Sequence, residues 1–318
     1  MIKSYTLQDG ILHPNGANLT GAVWIDLHAP TPEEESAVAA ITGCDIPSEE
    51  DMREIEISSR LYAFEQATYM TALLPANADG GDPVMGPVSF ILTPKHLVTV
   101  RFHDPRVFTS FPPRAHVTRI AMADPLSVLV AVMEAVIDRQ ADILERAAAE
   151  IDSHSRALFM LAKGRKPHDY QSVLETIGQM GNLNSNIRDS LLTLDRLASY
   201  LAQVLTKHSA TPDLHERAKT LTNDVKSLTD HANFVASKIT FLLDATLGMI
   251  NIEQTNISKI LSVAAVIFLP ATLIASIFGM NFANMPGLDM RYGFALSLGA
   301  MIGLAVLTYA YFKYKNWL

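Results

Sequence analysis

The sequence predicts an α+β cytoplasmic domain, a long stalk helix and two C-terminal transmembrane helices. Segment 261–281, LSVAAVIFLPATLIASIFGMN, carries no charged residue and is long enough to cross a bilayer. A second apolar segment, 292–312, follows it after a short polar loop. Upstream, strand-like stretches cluster before residue 113 and give way to long helical periodicity, the order expected of an α+β arrangement.

The totals agree with a membrane anchor on a water-facing body. Mean hydropathy is +0.17, and the apolar excess sits in the last 60 or so residues. The formal charge of −8 argues against nucleic acid as a partner and is compatible with cations. A single cysteine, Cys44, rules out an internal disulfide framework and a cysteine-based zinc site. The opening stretch MIKSYTLQDG lacks the apolar core of a signal peptide, so the large N-terminal part is expected to stay in the cytoplasm.

The region 1–123 reads as the α/β domain. Ala22–Leu27 is a short β-rich run. Thr31 with Pro32 and the acids Glu33–Glu35 marks a helix start, with a capping hydroxyl and negative charge at the positive end of the dipole. Leu61–Leu74 suggests one or two strands, Asn77–Pro87 a loop, and Val88–Leu92 with Leu97–Phe102 a hairpin. Chemistry is sparse here. His96 and His103 read as surface loop histidines, because no carboxylates surround them at metal-ligand spacing. The acids Asp45, Glu49, Glu50, Asp51, Glu54 and Glu56 read as a solvated helix face rather than a divalent-ion site. No phosphate loop, nucleophile elbow or zinc-protease motif occurs, and an enzyme is not expected.

Asp124–Pro125 caps a long helix with apolar positions at Leu126, Leu129, Val130, Met133, Ile137 and Ile143. A second helix runs from about Tyr170 to Lys207, making a helical hairpin over 124–213. The stalk helix is expected over 214–259. Leu221, Val225, Leu228, Ala232, Val235, Ile239, Leu242, Thr246 and Met249 recur in alternating steps of four and three, a heptad seam. We read the seam as a self-association surface, the alternative being an ordinary buried helix of the same domain. No stop intervenes before the first span, 260–281, so stalk and span form one helix on the order of 100 Å long. The external loop then covers 282–291, the second span 292–312 and a basic tail 313–318.

Lys259, Lys313 and Lys315 flank the spans on one side, and the intervening loop holds only Arg291 beside Asp289. The positive-inside rule puts both termini in the cytoplasm, and Tyr309, Tyr311, Phe312, Tyr314 and Trp317 form an interfacial aromatic belt. In the first span, Thr255, Ser258, Leu261, Ala265, Leu269, Thr272 and Ser276 fall near one face. This stripe has hydroxyls at both ends and apolar groups between. It fits a pore lining with a hydrophobic constriction, and equally a small-residue packing face.

Here a family resemblance enters. FGMNF at Phe278–Phe282 is similar to the Gly-Met-Asn signature of the CorA family of magnesium channels and transporters. Gly248–Gln254, Val266–Leu273, Tyr311–Leu318 and the strand Trp24–Leu27 also look like that family. The resemblance implies a funnel-shaped homopentamer in the cell (inner) membrane. It implies influx of Mg²⁺, with Co²⁺ and Ni²⁺ as further substrates, closing at high cytoplasmic Mg²⁺. Mg²⁺ would then be both substrate and regulatory ligand, and no other cofactor is expected. Carried over position by position, Gly279, Met280 and Asn281 form the selectivity filter. Asn281 contacts hydrated Mg²⁺, and Leu261, Ala265 and Leu269 form the apolar constriction. The family's outer loop commonly reads Met-Pro-Glu-Leu; here Gly287 replaces the acid, leaving Asp289 as the nearest carboxylate. Two other readings stand beside this one: a zinc transporter of the same superfamily, and a membrane-anchored coiled-coil sensor or scaffold that conducts nothing.

Overall fold

The computed structural model describes residues 1–80, 83–118, 120, 122–161, 170–280 and 290–315. It divides into two compact units, Met1–Leu243 and Asp244–Leu318.

The first unit is built on a seven-stranded sheet: β1 (Ile2–Gln8), β2 (Ile11–Gly16), β3 (Trp24–His28), β4 (Leu61–Phe64), β5 (Ala67–Ala76), β6 (Val84–Leu92) and β7 (Leu97–Arg101). Its order is β2-β1-β3-β7-β6-β5-β4. Five of the six pairings are antiparallel, and only β3 and β7 run parallel, with Trp24 opposite Leu97 and Leu27 opposite Val100. The expected β6–β7 hairpin forms, with Leu92 opposite Leu97 and Val88 opposite Arg101. Strand β6 begins at Val84, so the end of the expected 77–87 loop is strand instead, paired to the long β5 through Ala76–Val84 and Leu73–Pro87.

Both sheet faces are covered, which explains why the central strands read as near-continuous apolar runs. Along β3, Trp24 enters one core while Ile25 and Leu27 enter the other. One face packs with Val38 of α1 (Pro32–Thr42) and Met52 of α2 (Glu49–Arg53). The Thr31 cap is a full capping box, with the hydroxyl accepting from Glu34 N–H and Glu34 Oε2 accepting from Thr31 N–H at 3.0 Å. Ser48 and Asp51 repeat the device on α2, so Asp51 is engaged in helix capping. A single-turn α3 (Ile57–Arg60) then leads into β4.

The other face is covered by α4 (Val107–Thr118), α5 (Pro125–Leu161) and α6 (Tyr170–Lys207). Helix α5 starts as expected, with Asp124 Oδ1 accepting from Ser127 N–H at 2.8 Å. Helix α6 is tied to the sheet by hydroxyls. Ser190 donates to the Leu73 carbonyl at 2.6 Å, and Thr193 Oγ1 accepts from Leu73 N–H at 2.9 Å.

A buried ion pair joins the two parallel strands. Arg101 meets Asp26 through Nε (3.1 Å to Oδ1) and Nη2 (3.0 Å to Oδ2), with both side chains 1% exposed. Thr99 donates to the same carboxylate at 2.8 Å and accepts from the Trp24 indole at 3.1 Å. Every member of the network is partnered, the condition under which a buried charge pair is tolerated.

His103 is not the surface histidine the sequence suggested. Its Nε2–H donates to the Leu74 carbonyl at 2.9 Å, and its ring lies over Gly86, where an added Cβ would sit 2.5 Å from Nδ1. Burial holds its pKa below the usual imidazole value. A glycine is needed at 86 for room rather than for conformation.

Helix α7 runs from Pro212 to Phe278 as one element of 67 residues. The heptad seam requires a correction. Leu221, Val225 and Ala232 are buried in the same core as residues of α5 and α6, so this stretch packs within its own chain. Asn184 of α6 donates to the Ala232 carbonyl at 3.1 Å, and Arg217 makes a two-pronged ion pair with Glu134 of α5. A four-three apolar repeat reports that a helix is covered, not which chain covers it.

Candidate functional site: a hydroxyl and aliphatic stripe on an apolar helix

The second unit holds the end of α7 and α8 (Gly293–Tyr314), two helices long and apolar enough to cross a membrane. Ile260, Phe268, Leu273, Phe294, Leu298, Ile302 and Val306 are all exposed. Large aliphatic and aromatic groups turned outward on every side suit a hydrocarbon solvent, not water.

The seven stripe residues named from the sequence, Thr255, Ser258, Leu261, Ala265, Leu269, Thr272 and Ser276, lie within α7 and are all exposed. At 3.6 residues per turn they occupy an arc of about 120°. Leu261 is 71% and Leu269 67% exposed, so among the described residues nothing covers these two side chains in the apolar middle of the stripe. The hydroxyls at its ends are oriented by the backbone. Thr255 donates to the Asn251 carbonyl at 2.8 Å and Thr272 to the Phe268 carbonyl at 2.9 Å. With their hydrogens committed inward, the oxygens keep lone pairs for a donor outside the helix, such as water bound to a cation.

Pro270 sits inside α7 without breaking it. Lacking an N–H, it leaves the Val266 carbonyl without its usual helical partner, one residue past Leu269. The helix closes at Gly279, whose N–H donates to the Ala275 carbonyl at 2.9 Å, and Met280 N–H reaches Ile277 O at 3.3 Å. Gly279 does not adopt a left-handed backbone, so a glycine there is explained by space rather than by conformation. A Cβ there would lie 3.1 Å from the Ala275 carbonyl oxygen.

Two expected site residues, Asn281 and Asp289, lie outside the described residues. One feature of the stripe was passed over in the sequence. Traced toward the N-terminus, the same face takes in Asn251, Leu247 and Asp244, all exposed. The signal was present in the spacing, since Asp244 lies eleven residues before Thr255, or three helical turns. Among the described residues no group of three or more histidine, cysteine or acidic side chains is arranged to hold a metal ion.

The family model for the CorA-like Mg²⁺ transporter protein matches residues 20–314. A magnesium transport protein CorA from Haemophilus influenzae is 30% identical over 321 residues, covering 100% of both chains. One from Mannheimia succiniciproducens is 30% identical over 322 residues, again covering 100% of both. The complete structure of the CorA magnesium transporter from Methanocaldococcus jannaschii aligns with a TM-score of 0.78 at 18% identity, over 100% of this chain and 99% of that one. The matching family and curated relatives are magnesium transport proteins, so the class is a membrane transporter and not an enzyme. The chain belongs to the family of CorA-like Mg²⁺ transporter proteins.

Proposed function

We propose that this chain forms a homopentameric channel in the cell (inner) membrane, with both termini cytoplasmic. It admits Mg²⁺ down the membrane potential, with Co²⁺ and Ni²⁺ as further substrates. The observation that carries the reading is the uncovered stripe on α7, with hydroxyl oxygens at both ends and bare Leu261 and Leu269 between them. Copies arranged around an axis would cover that stripe and give it a pore to line.

The chemistry suits Mg²⁺, which is small and sheds its waters reluctantly. Neutral oxygens from Asn281, Thr272, Ser276, Ser258 and Thr255 accept hydrogen bonds from the ion's bound waters and leave the hydration shell intact. Carboxylates in their place would hold the ion too tightly for release. Leu261, Ala265 and Leu269 form a constriction that closes by dewetting. Asp244 supplies charge at the inner end of the stripe, and rising cytoplasmic Mg²⁺ closes the channel.

Flux into proteoliposomes tests the whole reading. Mg²⁺ uptake well above Zn²⁺ uptake is expected. Zn²⁺ uptake alone would favour the zinc-transporting reading, and no flux of either ion would leave a scaffold. The outer loop gives a finer test. With Gly287 in place of the family's acid and Arg291 offsetting Asp289, the loop has little net charge to draw cations. Asp289→Asn is expected to slow uptake at low external Mg²⁺ by about two- to fivefold while leaving saturating uptake unchanged. Wild-type uptake at low Mg²⁺ would remove Asp289 from the mechanism.

A further inference from the structure

In the first unit, a cavity of about 440 Å³ opens between the β1–β2 hairpin and α4. That volume is in the range of small-molecule sites. Leu12, Phe108 and Pro112, all buried, supply apolar wall, and His116 closes one side, donating from Nδ1 to the Leu12 carbonyl at 3.3 Å. Alternation along β1 brings Lys3 and Tyr5 to the same face, and both line the cavity.

Tyr5 and Lys3 are the unusual members. Tyr5 is only 7% exposed, stacked on Trp24 with ring centroids 4.7 Å apart, yet no group among the described residues hydrogen-bonds its hydroxyl. The ring is buried while the hydroxyl is left for a partner in the cavity that Tyr5 lines. Burial, reinforced by the charge of Asp26, pushes its pKa up to about 12, so the hydroxyl is a donor at neutral pH. Lys3 joins no ion pair among the described residues. One ammonium and one hydroxyl with no hydrogen-bond partner among the described residues therefore border the same apolar wall.

We propose that this cavity binds a small amphipathic carboxylate, a free molecule with a ring-sized apolar body. Its carboxylate is held by Lys3 and Tyr5, and its body packs on Leu12, Phe108 and Pro112. The charge comes from Lys3, the directional bond from Tyr5, and the apolar wall excludes inorganic anions, which carry nothing to bury there. The site is separate from the conduction stripe and does not depend on it.

Calorimetric titration of the full chain in lipid nanodiscs with 3-phenylpropionate tests the assignment, with protein-free nanodiscs as baseline. Saturable binding of one molecule per chain is expected. Lys3→Gln and Tyr5→Phe should each weaken it about tenfold or more, as for a lost hydrogen bond to a charged group. The uncharged 3-phenylpropanamide should bind at least about tenfold more weakly than the acid. Thr109→Trp, at an exposed position on the cavity edge, should fill the space and abolish binding. Should Tyr5→Phe fail to fold, the other variants and the amide still decide. The proposal is overturned if no saturable binding occurs, if acid and amide bind equally, or if Lys3→Gln and Thr109→Trp bind as the wild type does.

Discussion

Asn281→Ala is expected to abolish selective Mg²⁺ uptake while leaving assembly and membrane insertion intact. Asn281 follows Gly279 and Met280 in the sequence, where the uncharged apolar run of the first span ends. Alanine removes the amide oxygen that the proposed filter offers to the ion's bound water and leaves no other acceptor on that side chain. Each 1.4 kcal/mol of lost discrimination is a factor of ten. In the proposed ring, identical positions lose one acceptor per subunit at once, so a drop of at least about a hundredfold in Mg²⁺ over Na⁺ selectivity, or loss of uptake, is the expected scale. Selective uptake at the wild-type rate by an assembled Asn281→Ala protein would sink the proposed filter.

The largest effect on stability is expected at Arg101. Arg101→Ala leaves the Asp26 side chain at 1% exposure without its ion-pair partner, with the Thr99 hydroxyl as its remaining side-chain donor among the described residues. It also removes the guanidinium from the face of Phe108, whose ring centroid lies 4.9 Å from Cζ. Breaking one side of a buried pair costs about 3–5 kcal/mol, a fall on the order of 10 °C in the melting of the first unit, read by near-UV circular dichroism of the full chain. The double variant Asp26→Leu with Arg101→Met should recover most of the loss, because it removes both charges and keeps volume. A single variant within about 1 kcal/mol of wild type would show that the pair is not a stabilising contact.

What was legible in the sequence was local. The Thr31 capping box and the β6–β7 hairpin depend on residues within a few positions of one another, and the membrane helices declare themselves by uninterrupted apolarity. Helix α4 was missed because Pro112 and Pro113 lie inside it, where a breaker is the natural reading. Strands β1 and β2 were missed although a signal was there. Asp9 and Gly10, at φ 51° and 75°, make the tight turn that an Asp-Gly pair favours between two strands. The parallel pairing of β3 with β7 joins segments some seventy residues apart, and no local pattern encodes it. In the site, the stripe followed from spacing alone. The exposure of Leu261 and Leu269 required the structure, because periodicity cannot say which side of a helix its own chain leaves bare.

The proline in α7 has a mechanical consequence. A helix resists bending because every turn is braced to the next, and at Pro270 one brace is missing. The missing brace lies just outward of Leu269, so the segment carrying Thr272, Ser276 and Gly279 can swing on a compliant joint while the length below it moves as a stiff rod. In the channel proposed above, a push along the helix would displace Leu261 and Leu269 together and be absorbed at the joint before Ser276. In the proposed channel, the constriction would thus respond to the stalk while the filter end keeps its alignment.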